Sequence, residues 1–303
     1  MTAAVLDTVP VTLLTGFLGS GKTTLLRRAL SAPGFGDTAV IVNEIGEIAI
    51  DHYLVDFVEG SVLELPGGCL CCAVRENLAQ TLRSLIERRD AGELRRFRRI
   101  VVETSGLADP APILFTLGTD PMLDQRLRLQ RVATLVDAVT GAATVERFAE
   151  AARQVAVADA LVISKTDLAP FSDTLAASLD AMNPAAERIV GAAANDPATV
   201  LFGGPSRPHP NPPPLAGEGG GHRAAVGGWG LTADAHAHHS HGIAVFSIIL
   251  EGPITRFDFA RALGGLAQDR GNDLLRVKGI VRFADRLERP AVVQAAQHAM
   301  FSP

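Results

Sequence analysis

The chain has 303 residues, a formal net charge of -5, and a composition that is 47% hydrophobic and 20% charged. That length suits one large α/β domain plus a smaller one, each with its own core, and that composition excludes a mostly disordered chain. The acidic balance argues against a nucleic-acid backbone as partner, and no apolar run approaches the ~20 residues needed to span a bilayer.

In chain order, Val11–Thr15 reads as a buried strand running into a glycine, and Thr23–Leu30 as a helix closed by Pro33 and Gly34. Thr38–Val42 is a second buried strand. Leu78–Arg88 has helical spacing, with Leu78, Leu82, Leu85 and Ile86 on one face. Arg95, Arg96, Arg98 and Arg99 read as a solvated turn into the next strand. Arg99–Glu103, Ala133–Val136 and Ala160–Ile163 are runs of strand length, and Val145–Val155 is helical. Strands alternating with helices predict a doubly wound, mostly parallel sheet with helices on both faces. Gly203–His241 is rich in Pro, Gly and His, buries too little apolar surface to order itself, and reads as a disordered linker. Patterning resumes with strand Ile243–Leu250, helix Asp258–Ala267, strand Leu274–Phe283 and helix Pro290–Met300. The expected division is 1–202, a large α/β domain; 203–242, the linker; and 243–303, a small α/β domain.

Val9–Leu18 follows an acidic Asp7 with no basic segment before it, so a secretory signal is not expected. It leads into Gly16-Phe17-Leu18-Gly19-Ser20-Gly21-Lys22-Thr23-Thr24, which fits G-x-x-x-x-G-K-[ST] between a predicted strand and a predicted helix. The glycines let backbone N–H groups turn inward around phosphates, and the helix N-terminus adds a favourable dipole. Gly16, Gly19, Ser20, Gly21, Lys22, Thr23 and Thr24 are the expected nucleotide contacts, with Lys22 at the β- and γ-phosphates and the Thr23 hydroxyl on Mg²⁺. Hydrolysis also needs an acid near Mg²⁺ and the attacking water. Glu103 ends an apolar strand and supplies one, and Gly106, three residues on, lets backbone approach the γ-phosphate. Lys22 and Glu103 are therefore the catalytic candidates.

Ser164-Lys165-Thr166-Asp167 follows another apolar strand and departs from the guanine-reading Asn-Lys-x-Asp only at Ser164. Asp167 would accept from guanine N1–H and the exocyclic amine, a donor pair adenine lacks, so a buried carboxylate there rejects ATP. Lys165 would lie along the base, and the shorter Ser164 leaves one contact weakened or water-mediated.

Cys69, Cys71 and Cys72 are the only cysteines and fall within four residues. Such a set is a poor disulfide framework and a good metal or redox site in a reducing compartment, the cytoplasm. Three thiols can turn toward one soft cation. Zinc wants a fourth ligand, which leaves a place for Glu44, water or a partner's donor.

With these motifs the chain resembles the CobW-type GTPases, the metallochaperone family of the broader nickel, cobalt and zinc GTPase group. The resemblance rests on Gly16–Thr24, Asn43-Glu44-Ile45-Gly46-Glu47, Gly67–Cys72, Glu103–Pro110, Ser164–Asp167 and Arg276-Val277-Lys278-Gly279. It implies a P-loop GTPase domain, a metal site between the nucleotide switches built from Cys69, Cys71 and Cys72 with Glu44 as a candidate ligand or switch carboxylate, and a C-terminal α/β domain that helps recognise a client. His236, His238, His239 and His241 correspond to a His-rich stretch of the family and are expected to bind metal as auxiliaries. The chain stops at Pro303, earlier than the family suggests, so the last helix is expected to be incomplete. The expected function is GTP hydrolysis, with Mg²⁺, coupled to delivery of Zn²⁺ to a client metalloprotein. Co²⁺ delivery for cobalamin synthesis is the variant. A zinc buffer with little turnover is one competing reading, which metal-dependent hydrolysis separates; a phosphate-loop kinase is the other, and it needs an acceptor pocket that no sequence feature of the second domain supports. The expected partners are GTP or GDP and the client, with a homodimer as an open alternative; neither nucleic acid nor membrane is expected.

Overall fold

The computed structural model describes residues 8–43, 62–64, 72–203, 224–225, 232–237, 243–250, 252–270, 273–296 and 299–301. β1 (Val9–Gly16) runs through a glycine turn into α1 (Lys22–Ser31). There follow β2 (Thr38–Asn43), β3 (Val62–Glu64), α2 (Cys72–Asp90), β4 (Arg99–Thr104), α3 (Ala111–Thr119), α4 (Pro121–Arg126) and β5 (Leu127–Asp137). Next come α5 (Gly141–Arg147), α6 (Ala149–Ala156), β6 (Ala160–Ser164), α7 (Asp173–Met182), β7 (Glu187–Ile189) and α8 (Pro197–Phe202). The strands pair in the order β3-β2-β4-β1-β5-β6-β7, every neighbour parallel. The sheet is thus the expected doubly wound one.

Strands buried on both faces read as near-continuous apolar runs, with successive residues facing opposite sides. Val11, Leu13, Ile41, Ile100 and Val102 share one core with Leu78 and Leu82 of α2 and Leu114 of α3. Leu14, Val40, Val101 and Leu135 face the other side, against Leu25 and Leu26 of α1 and Val200 and Leu201 of α8. A third cluster joins Leu161 and Ile163 of β6 to Val145, Val155 and Leu175. The chain builds outward on one side of β1, fills in β4 beside it, then continues with β5 on its other side. That change of direction opens a crevice at the carboxyl ends of the central strands, where doubly wound sheets hold ligands.

The C-terminal region holds a three-stranded antiparallel sheet of β8 (Ala224–Ala225), β9 (Thr232–Ala237) and β10 (Ala244–Ile249). α9 (Arg256–Arg270) follows, then a second antiparallel sheet of β11 (Val277–Val281), β12 (Ala291–Ala296) and β13 (Ala299–Phe301). Its small core is Val281, Phe283 and Val293, with Leu250, Ile254 and Phe259 packed on it. β12 and β13 lie beside α3 of the first domain.

Three expectations are corrected. Pro290–Met300 is not a helix. Its Ala- and Gln-rich sequence favours one, but Val293 and Ala295 are buried at period two and the segment pairs with β11. Ladder pairing overrides the intrinsic preference. Val145–Val155 is two helices, broken at Phe148, whose extended backbone (φ -117°, ψ 119°) ends α5 and caps α6. The stretch read as linker contains β9. β10 supplies it with a ladder of partners, from Ala237 opposite Ala244 to Thr232 opposite Ile249.

Candidate nucleotide and metal sites

β1 delivers the chain to the phosphate loop with no slack. Gly16 has φ 139°, and a Cβ there would stand 2.4 Å from the Leu135 carbonyl oxygen of β5, so only glycine passes. Gly19 and Gly21 take φ of 71° and 100°, which turns the loop back into the first turn of α1. Its orphan N–H groups open toward the loop. Lys22 is buried, and its Nζ donates to the carbonyls of Gly16 at 2.6 Å and Phe17 at 3.2 Å. The ammonium is thereby held against the loop it is expected to serve. Ser20 is buried and Thr24 exposed.

Glu103 lies in register with Leu14 of β1 and Val42 of β2, at the carboxyl edge of the sheet. It is 4% exposed, and its Oε1 accepts from the Thr23 hydroxyl at 2.9 Å. The two expected Mg²⁺ ligands are therefore adjacent, although 80 residues separate them in sequence. A hydroxyl and a buried carboxylate are hard oxygen donors of the kind Mg²⁺ takes. Thr104 donates to Thr15 at 2.8 Å and pins the strand ends together. A Cβ on Gly106 would come within 2.7 Å of the Leu18 backbone nitrogen, so the loop after β4 rests directly on the phosphate loop because residue 106 is glycine.

β6 brings Ser164 to the same edge. Its Oγ donates to the Ser20 carbonyl at 2.7 Å, so the residue that departs from Asn ties the base-side loop to the phosphate loop. Lys165 has a left-handed backbone (φ 56°), and its Nζ stands 3.4 Å from Asp137 Oδ2. Asp167 is exposed, not buried as its proposed discrimination against ATP assumed, because the turn after β6 carries it clear of the sheet.

Asp137 was not foreseen as a site residue, although an acid closing a buried strand is the signal that marked Glu103. Burial pushes its carboxyl up, but hydrogen bonds from the backbone and hydroxyl of Thr140 and the charge of Lys165 outweigh that, and the net shift is downward. Gln154 was also missed. It is 1% exposed, and its Nε2 donates to the Gly106 and Ala108 carbonyls at 3.1 and 3.0 Å. Nothing in a linear sequence marks a helical Gln as buried. Phe148 stacks on Phe17 of the phosphate loop, with centroids 4.7 Å apart.

Cys69, Cys71, Glu44, His238, His239 and His241 lie outside the described residues. Cys72 opens α2, and His236 sits in β9 in register with Val245. Among the described residues no group of three or more His, Cys, Asp or Glu could hold a metal ion, and no helix is long and apolar enough to cross a membrane.

The family model of the CobW/HypB/UreG nucleotide-binding domain matches residues 10–190, a span that holds every nucleotide-site residue above. The chain belongs to the CobW/HypB/UreG family. Residues 243–303 match the model of the cobalamin synthesis protein cobW C-terminal domain. Similar CobW/HypB/UreG relatives include the Escherichia coli K12 protein named zinc chaperone YjiA, 39% identical over 178 residues, covering 59% of this chain and 56% of that protein. Another is the Schizosaccharomyces pombe protein named zinc-regulated GTPase metalloprotein activator 1, 35% identical over 170 residues, covering 54% of this chain and 40% of that one. The chain thus spans about half the length of these relatives. The crystal structure of Zn(II)-bound YjiA GTPase from E. coli superimposes with a TM-score of 0.59 at 24% identity, over 97% of this chain and 88% of that one. That likeness is one of fold.

Proposed function

We propose that this chain is a GTP-hydrolysing metallochaperone that binds a divalent metal through Cys69, Cys71 and Cys72 and passes it to a client metalloprotein. The observation that carries the nucleotide half is the 2.9 Å contact between Thr23 and Glu103 at the mouth of the phosphate loop. Backbone N–H groups of the loop and the α1 N-terminus cradle the phosphates, and Lys22 leaves the loop carbonyls for the β- and γ-phosphates. Thr23 and Glu103 would hold Mg²⁺, which when bound offsets phosphate charge. Glu103 also orients the attacking water, and the Gly106 backbone meets the γ-phosphate. Ser164, Lys165 and Asp167 form the guanine side. Asp167 pairs with N1–H and the exocyclic amine, and Asp137 steadies Lys165.

The metal half rests on the thiols and on the names of relatives. Zn²⁺ is the cargo that three thiolates and a carboxylate such as Glu44 suit, and Co²⁺ fits the same donors. Thiols that hold a metal suit a reducing compartment such as the cytoplasm. His236, His238, His239 and His241 are auxiliary ligands, and a homodimer is compatible with this reading.

The test is turnover of GTP and ATP with Mg²⁺, with and without Zn²⁺. Clear preference for GTP, and rates that respond to Zn²⁺, are expected. Equal use of ATP defeats the guanine assignment, and rates indifferent to Zn²⁺ defeat the chaperone reading.

A further inference from the structure

The C-terminal end of α6 carries two sets of contacts that the nucleotide site alone does not explain. On one side, Gln154 holds the Gly106 and Ala108 carbonyls, and Arg153 Nη1 stands 3.2 Å from Asp109 Oδ2. Three residues of the loop after β4, Gly106, Ala108 and Asp109, are thus fastened to two adjacent helical residues. On the other side, the second domain reaches the same helix end. Arg276 Nη1 donates to the Val157 carbonyl at 2.5 Å, and its Nη2 stands 3.0 and 2.9 Å from the two carboxylate oxygens of Asp159. Lys278 adds a contact to Asp159 at 2.9 Å. The Arg276 and Asp159 side chains are only 8% and 10% exposed.

The carbonyls between these two sets are all accounted for. Asn183 Nδ2 donates to those of Val155, Ala156 and Ala158, and Thr134 donates to that of Gln154. The last carbonyls of a helix normally lack partners, and here Arg276 closes the set. Gln154 and Val157 are three residues apart, roughly 4.5 Å along the axis. A displacement of the guanidinium therefore reaches the Gln154 amide within one turn of a fully hydrogen-bonded segment. A buried ion pair adds little net stability over an apolar contact, and its best-attested use is to fix a register. The register fixed here is that of the helix end against the second domain.

We infer that α6 puts the γ-phosphate loop under control of the C-terminal domain: Gln154 is a positioning residue for Gly106, and Arg276 is the residue through which the second domain sets it. This rests on reading Glu103–Asp109 as the γ-phosphate loop. A domain that recognises a client would then answer client binding with a change in GTP turnover, by loosening or tightening one clasp.

The experiment uses the full chain in four forms: wild type, Gln154→Met, the neutralised pair Asp159→Asn/Arg276→Gln, and the triple variant. Removing both charges together avoids stranding Asp159. Two readouts are taken: hydrogen exchange of the amides in residues 105–109 without nucleotide, and kcat and KM for GTP. Gln154→Met is expected to speed exchange and lower kcat by roughly fivefold or more, with a smaller change in KM. The neutralised pair should do the same, and the triple variant should add little to either. A fifth form, Lys278→Gln alone, should keep exchange and kcat within twofold of wild type, since the Arg276 contacts to Asp159 and Val157 survive. If the neutralised pair melts earlier but leaves both readouts within twofold of wild type, Arg276 is only an adhesive between domains and the inference fails. Full additivity in the triple variant defeats it equally. Absence of GTP turnover in wild type would defeat the proposed activity, and exchange at 105–109 would still decide the coupling.

Discussion

At the scale of single residues, the nucleotide site is a set of short-range contacts with separable roles. Lys22→Ala removes the side-chain cation assigned to the β/γ-phosphates. A hydrogen bond to a charged group is worth about 1.5–3 kcal/mol, so GTP affinity should fall roughly 10- to 150-fold in a fluorescent-nucleotide titration; an unchanged Kd contradicts the assignment. Glu103→Gln keeps the shape beside Thr23 but removes the charge. Turnover should drop roughly a hundredfold or more, in line with the loss of one transition-state electrostatic contact, while GTP binding moves far less. The residues behind these predictions were readable in sequence because each belongs to a local pattern, a glycine loop or an acid closing an apolar run. Asp137 carried the second signal too, but without a motif around it. Gln154 carried none, since its role comes from burial against a loop 46 to 48 residues away.

At the scale of elements, the central sheet was legible because buried parallel strands advertise themselves as apolar runs. What escaped was decided by tertiary partners. The segment 291–296 has a helical composition and becomes a strand because β11 offers a ladder. The break between α5 and α6 falls at Phe148, an apolar residue that interrupts no periodicity, and it exists where the ring stacks on Phe17. That break has a testable consequence. Phe148→Leu keeps apolar bulk and loses the stack, worth about 0.5–1.5 kcal/mol. Urea unfolding should show a loss of that size, and GTP affinity should weaken by less than about tenfold as the phosphate loop loosens. A stable protein with unaltered GTP affinity would mean that the stack does not support the loop.

At the scale of the whole molecule, the two domains meet through a buried ionic clasp and through α3 against β12 and β13. Burial pushes the Asp159 carboxyl up, but the charges of Arg276 and Lys278 dominate and hold it below the ordinary carboxylate value. A carboxyl depressed in the folded state contributes stability that is complete above its unfolded pKa, ~3.9, and is lost as pH falls through the folded value. Stability of the full chain should therefore decline as pH drops below about 4, and Asp159→Asn should flatten that part of the profile. An identical acid limb in the variant would remove Asp159 from the account. The His-rich stretch also changes character at this scale. Because His236 lies in β9, deleting Ala235–His241 would damage a sheet, so the auxiliary role is better tested by His→Ala changes at 236, 238, 239 and 241. Those should lower weak Zn²⁺ binding and leave the tightest site.

The central claim is that the nucleotide and the cargo metal are coupled. Asn43 ends β2 and Glu103 lies near the end of β4, in neighbouring strands at one sheet edge, and Cys72 opens the helix that leads from β3 to β4. A γ-phosphate that orders the loops at that edge should favour the metal-binding arrangement, and linkage makes the effect reciprocal. The most direct measurement is a Zn²⁺ competition titration of the full chain with a non-hydrolysable GTP analogue and with GDP, on wild type, Cys71→Ser and Cys72→Ser. The expected result is tighter Zn²⁺ binding with the GTP analogue by roughly 5- to 150-fold, a difference lost in both Cys variants while GTP still binds. Equal Zn²⁺ affinity in the two nucleotide states of the wild type would contradict the account and leave a passive zinc store beside an independent nucleotide site.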